Sequence, residues 1–143
     1  MLISFAVFLA SLTQKGFSTA GEEPGSWSPG LYLLLIGPLG FLAGVYEWLA
    51  NPFLLAAWIF SWFGKNKIAL PLALIAIGFI VAFLFREIMI VSEAPTYAKI
   101  IGYAAGYWLW LTSAVIAALG ATIGMFTRGA VSRPDDATAA PSS

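Results

Sequence analysis

From residue 30 to residue 63 the chain carries one charged side chain, Glu47. A stretch that apolar cannot form the wetted surface of a soluble domain. It is longer than the roughly 20 residues that cross about 30 Å of hydrocarbon as a helix, and a little short for two crossings. Further apolar runs follow over residues 68–91 and 96–126. Only 10% of the chain is charged and 60% is hydrophobic, against roughly 25% charged in a soluble domain. A backbone in lipid must satisfy its own polar groups, which leaves helices or closed barrels. A barrel needs polar and apolar residues in alternation, and residues 73–85 show none. The fold class expected is therefore all-α: an integral membrane bundle of four to five helices, with residues 30–63 folded as a hairpin.

At 143 residues the chain has room for one domain, here divided into residues 1–20, 21–126 and 127–143. Residues 1–12 are apolar and Thr13-Gln14-Lys15 interrupts them. The segment 1–20 reads as a membrane helix with Lys15 snorkelling, as a signal peptide with Ser18-Thr19-Ala20 at the cleavage site, or as an interfacial helix. No Lys or Arg precedes its apolar core, which counts against the signal peptide. Residues 21–28 are a polar turn. Ser28-Pro29 opens a helix over 29–49, since Ser can cap and Pro suits the first helical position. Pro38 cannot donate to the carbonyl four residues back and kinks that helix. Asn51-Pro52 repeats the cap-and-proline pattern and opens a second, short helix over 52–65, on which Trp58 and Trp62 share a face. Helices over 68–91 and 96–126 complete the bundle, with a turn at 92–96. The tail, 127–143, is expected to be disordered.

Lys and Arg concentrate on cytoplasmic loops. Two helices separate Lys65 and Lys67 from Arg128 and Arg133, so these four share a side, and the C-terminal tail is expected in the cytoplasm. The turn at 92–96, flanked by Arg86 and Lys99, is then external. A hairpin at 30–63 places Lys15 and Glu22-Glu23 in the cytoplasm, whereas a single crossing places them outside.

Small residues spaced four apart let helices approach closely. They recur as Gly37, Gly40 and Gly44 in 29–49, and as Gly102, Gly106, Ser113, Ala117, Gly120, Ala121 and Gly124 in 96–126. All are candidate helix-packing positions, and Tyr103, Tyr107, Trp108 and Trp110 form an aromatic belt. Pro38, Asn51 and Pro52 are helix-breaking positions. An acid in an apolar helix marks a functional position by default, which makes Glu47 the leading polar residue. Its place one turn before Asn51-Pro52 also fits a solvated interface. Arg86 and Glu87 point about 100° apart on a helix, so each needs a partner elsewhere. Arg86 lies on the same side as Glu47 in the hairpin, so the two can form a salt bridge. The chain has no Cys and no His, which removes thiolate chemistry, the commonest general base and the usual zinc and haem ligands. No basic cluster suits nucleic acid, and no cofactor, metal or catalytic set is expected.

The spacing Trp27-x-Pro29-Gly30, Trp48-x-Ala50-Asn51-Pro52 and Gly106-Tyr107-x-x-Trp110-x-x-Ser113 resembles a loose group of small uncharacterised bacterial inner-membrane proteins. The resemblance implies an inner-membrane location and no particular activity. The function expected is non-enzymatic: a multi-pass protein acting through helix-mediated association as an accessory, assembly or immunity-type subunit. Its partners would be the bilayer and a second copy or another membrane protein. The alternative is a small transporter or channel protomer with Glu47 near the path.

Overall fold

The computed structural model describes residues 1–21, 29–90 and 97–131. Among these residues five α-helices carry the fold: α1 Leu2–Leu12, α2 Gly30–Ile36, α3 Ala50–Trp62, α4 Asn66–Ala82 and α5 Ala105–Val131. 3-10 turns follow α2 at Gly37–Ala43, precede α3 at Glu47–Leu49 and extend α4 at Phe83–Phe85. Three short strands, β1 Phe17–Thr19, β2 Ile88–Ile90 and β3 Tyr97–Tyr103, form an antiparallel sheet in the order β1-β3-β2.

Helices α1, α3, α4 and α5 pack side by side, α5 between α1 and α4, and α4 between α5 and α3. The sheet lies at one end. There the amide of Gly106 donates to Lys15 O, Ala104 to Gly16 O and Ile100 to Glu87 O, tying the end of α1, the end of α4 and the start of α5 together. At the opposite end Asn66 packs against Gly124, so Lys65 and Lys67 lie far from the sheet. Asn66–Phe85, 20 residues, and Ala105–Thr127, 23 residues, are long and apolar enough to cross a membrane.

Small side chains make up most of the fully buried positions. Ala50, Ala57, Ala69, Ala73, Ala76, Ala114, Ala117 and Ala121 are fully buried. On α4 the buried positions 66, 69, 73, 76 and 80 recur every three or four residues, which is one helix face. Among the described residues the largest fully buried side chains are Leu54, Ile80, Ser4 and Ser113, while Leu35, Trp62, Phe63, Phe85 and Phe126 are at least 70% exposed.

Several expectations are corrected. Residues 96–126 do not form one helix: β3 occupies Tyr97–Tyr103 and α5 starts at Ala105. The β-branched pair Ile100-Ile101 and the flanking tyrosines favour a strand, and β1 and β2 supply pairing on both edges. For the same reason the first helix stops at Leu12 and residues 17–19 are a strand. Residues 68–91 are helical only to Phe85, and then turn at Arg86 into β2. Residues 29–49 are three short pieces. They break at Pro38 and again at Gly44, whose φ of 72° is left-handed and suits glycine. The hairpin at 30–63 is therefore absent: α2 packs on α1, and only the run from Glu47 to Trp62 lies in the bundle. The short helix expected over 52–65 is present as α3, but it starts at Ala50, straight from the turn at Glu47–Leu49, so Leu49 and not Asn51 is its cap and Pro52 falls in its first turn, where proline is tolerated. Pro29 precedes α2 in extended conformation (ψ 150°), and Ser28 lies outside the described residues. Helix α5 runs on to Val131, into the expected tail. Residues 132–143 and the turns expected at 22–28 and 92–96 also lie outside the described residues.

Candidate functional site

Glu47 stands on the 3-10 turn before α3, and Arg86 stands where the turn after α4 gives way to β2. The two meet at the sheet end. Arg86 Nε donates to Glu47 Oε1 at 2.8 Å, and Nη2 donates to Oε2 at 3.0 Å and to Gly44 O at 3.0 Å. The pair is mostly enclosed, with side-chain exposures of 23% for Arg86 and 13% for Glu47. A forked guanidinium–carboxylate pair is stronger and more directional than a point contact. Here it joins the start of α3 to the end of α4. Glu87 lies alongside, exposed. With Glu47, Ala82, Phe85, Arg86 and Ile88 it lines an open depression of about 290 Å³.

The sequence-level pairing of Glu47 with Arg86 is thus present, and Glu87 stands outside it. In chemical terms the arrangement is a clasp, since both charges are spent on each other. Among the described residues no three His, Cys, Asp or Glu side chains gather into a metal site.

A second polar set, deep in the bundle, carries no sequence signal strong enough to single it out. Trp58 Nε1 donates to Ser4 Oγ at 2.8 Å, and Ser4 Oγ donates to Ser113 O at 2.6 Å. Ser113 Oγ turns back to Trp110 O at 2.7 Å. These bonds link α1, α3 and α5 beside the buried Trp58 ring, against which Phe5 and Phe8 pack edge-on. Trp58 and Trp62 share a spacing but not a surrounding: the first is buried and the second is 74% exposed. Two tyrosines close the end of α4. Tyr107 Oη donates to Ile80 O and Tyr103 Oη to Phe83 O, each at 2.9 Å; the Phe83 carbonyl also accepts the amide of Arg86.

The helix-breaking residues are linked in a way their spacing does not reveal. Pro38 has no N–H for the carbonyl of Leu34, and Trp48 Nε1 donates to that carbonyl at 2.9 Å. Pro52 has none for the carbonyl of Trp48, and Asn51 Nδ2 donates to it at 3.1 Å. Gly37 makes room for the Trp48 indole, which a Cβ would overlap.

The other candidate packing residues divide. Gly106 lies against the carbonyls of Gln14 and Lys15, Gly124 against Asn66 and Gly120 near Met1; Ser113, Ala117 and Ala121 are buried. Gly40 faces Val45 within its own loop. Gly44 is a turn residue and Gly102 a strand residue, and a Cβ on either would meet nothing within 4 Å. These two are corrected as helix-packing positions, because neither is in a helix. The glycines that do pack are used inside this chain. No protein-family model, no curated protein and no solved structure matches the chain.

Proposed function

We propose that this is a multi-pass bacterial inner-membrane protein that works by associating with another membrane protein or a second copy, as an accessory, assembly or immunity-type subunit, without catalysis. One observation carries the membrane reading: alanine and serine make up most of the fully buried positions, with Leu54 and Ile80 between them, while many large apolar side chains, Leu35, Trp62, Phe63, Phe85 and Phe126 among them, face outward. Water would drive large apolar side chains inward. Lipid removes that drive and rewards close backbone packing and interhelical hydrogen bonds. Lys65 and Lys67, at the end opposite the sheet, would face the cytoplasm together with the C-terminal tail, leaving the sheet outside.

Association is favoured over transport because Glu47, the residue that motivates a permeation path, is held by Arg86. Native mass measurement after extraction in mild detergent tests the reading. An oligomer, or a stable complex with a membrane protein, is expected. A bare monomer across several mild detergents, together with ion flux that Glu47→Gln abolishes in vesicles, would overturn it in favour of transport.

A further inference from the structure

The segment from Gly30 to Tyr46 contains no Asp, Glu, Lys or Arg, yet it contributes no buried side chain among those described. Leu31, Tyr32, Leu35, Ile36 and Leu39 are all exposed, Leu35 by 70% and Leu39 by 67%. Both its flanks are pinned at the same level. The amide of Gly30 donates to Gln14 O, beside the Lys15 carbonyl that receives the amide of Gly106 at the start of α5. At the other flank Glu47 is clasped by Arg86, at the end of the 20-residue apolar run of α4. The segment therefore leaves and returns at the sheet-side ends of the two helices long enough to span.

Two backbone groups beside its breaks are also paired within the chain. The Leu34 carbonyl, left open by Pro38, is met by Trp48 Nε1, and the amide of Val45 returns to Gly40 O. Water would satisfy such groups without help; hydrocarbon would not, and a bilayer demands that they be paired internally.

On the membrane reading above, we infer that α2 and the turn after it lie along the sheet-side face of the bilayer. Leu35 and Leu39 enter the boundary between headgroups and acyl chains, so the partner of this surface is phospholipid. Helices that lie in the interface bury their apolar face about 5–10 Å into the boundary between headgroups and acyl chains. The segment anchors the sheet end to one leaflet without crossing it.

The chain has no cysteine, so single-cysteine spin labels report cleanly. Leu35→Cys and Leu39→Cys, both at exposed positions, are to be labelled in the full chain, with Ile75→Cys on α4 as reference. The proteins are placed in phosphatidylethanolamine–phosphatidylglycerol vesicles, and collision with oxygen is compared with collision with a water-soluble nickel chelate. Labels at 35 and 39 are expected to favour oxygen over nickel, at shallower depth than the label at 75. A protected label at 75 with labels at 35 and 39 open to nickel would place the segment in water and overturn the inference alone. Labels at 35 and 39 shielded from both reagents would assign the surface to a protein. A label at 75 open to nickel would overturn the membrane reading and this inference with it.

Discussion

Arg86 holds Glu47 through two N–H groups, Nε to Oε1 at 2.8 Å and Nη2 to Oε2 at 3.0 Å, across 39 positions of sequence. The contact fixes the start of α3 against the end of α4 at the level where the sheet begins. Hydrogen bonds to charged groups contribute about 1.5–3 kcal/mol, and an enclosed charge that loses its partner costs more than an exposed one. Arg86→Ala is expected to lower stability in detergent by about 1–3 kcal/mol on that basis. The exchange Glu47→Arg with Arg86→Glu should recover part of the loss. Thermal unfolding of both singles and the double measures it. A double as unstable as the sum of the singles would show that the pair does not act as a unit.

The Trp48–Leu34 bond predicts a rescue. Trp48→Phe keeps the ring over Gly37 but leaves the Leu34 carbonyl without a donor, at a cost of about 1 kcal/mol. Pro38→Ala restores a backbone N–H that can reach Leu34 O. The loss from Trp48→Phe should therefore be smaller in a Pro38→Ala background than in the native one. The double-mutant cycle reads this directly, and equal losses in both backgrounds would contradict the compensating role.

Within the bundle, Ser4→Ala removes the acceptor of Trp58 Nε1 and the donor to Ser113 O together. Interhelical hydrogen bonds in membranes contribute about 0.6 kcal/mol each, reaching about 1.7, so a loss near 1 kcal/mol is expected. Trp58→Phe in the Ser4→Ala background should cost less than Trp58→Phe alone, because the hydrogen bond is already gone. Chemical unfolding in mixed micelles measures both.

Glycine substitutions separate the strand from the helix. A Cβ at Gly106 would stand 2.7 Å from Lys15 O, and one at Gly102 would meet nothing within 4 Å. Gly106→Ala is expected to destabilise by about 1–3 kcal/mol, as overpacking does, and Gly102→Ala to be close to neutral. Were residues 96–126 one helix packed through both glycines, the two substitutions would cost alike. Melting temperatures of the two variants decide.

Some of this architecture was legible in the residues. The apolar runs read at 68–91 and 96–126 overlap the two helices of membrane length, Asn66–Phe85 and Ala105–Thr127, because length and composition suffice to mark such a helix. The break at Pro38 could be read because the missing N–H is a property of that residue alone. The Glu47–Arg86 contact was within reach because two lone charges placed at one depth in apolar surroundings have few other partners. By contrast, Gly102 and Gly106 carry the same helix-packing signature, and only Gly106 lies in a helix, where it meets the backbone of Gln14 and Lys15.

The sequence by itself determined that helices of membrane length fall within the apolar runs near 68–91 and 96–126 and that Pro38 interrupts the helical pattern, since those outcomes follow from local chemistry. Tertiary structure decided that Phe17–Thr19 and Tyr97–Tyr103 become neighbouring strands, because a ladder exists only when its distant partner arrives. It decided that Asn51 and Trp48 take over the hydrogen bonds that Pro52 and Pro38 cannot make. It also turned the run from residue 30 to residue 63 from an expected hairpin into one bundle helix with a peripheral arm. That outcome depends on where both flanks are pinned, and the pins, Gln14 and Arg86, lie outside the run itself.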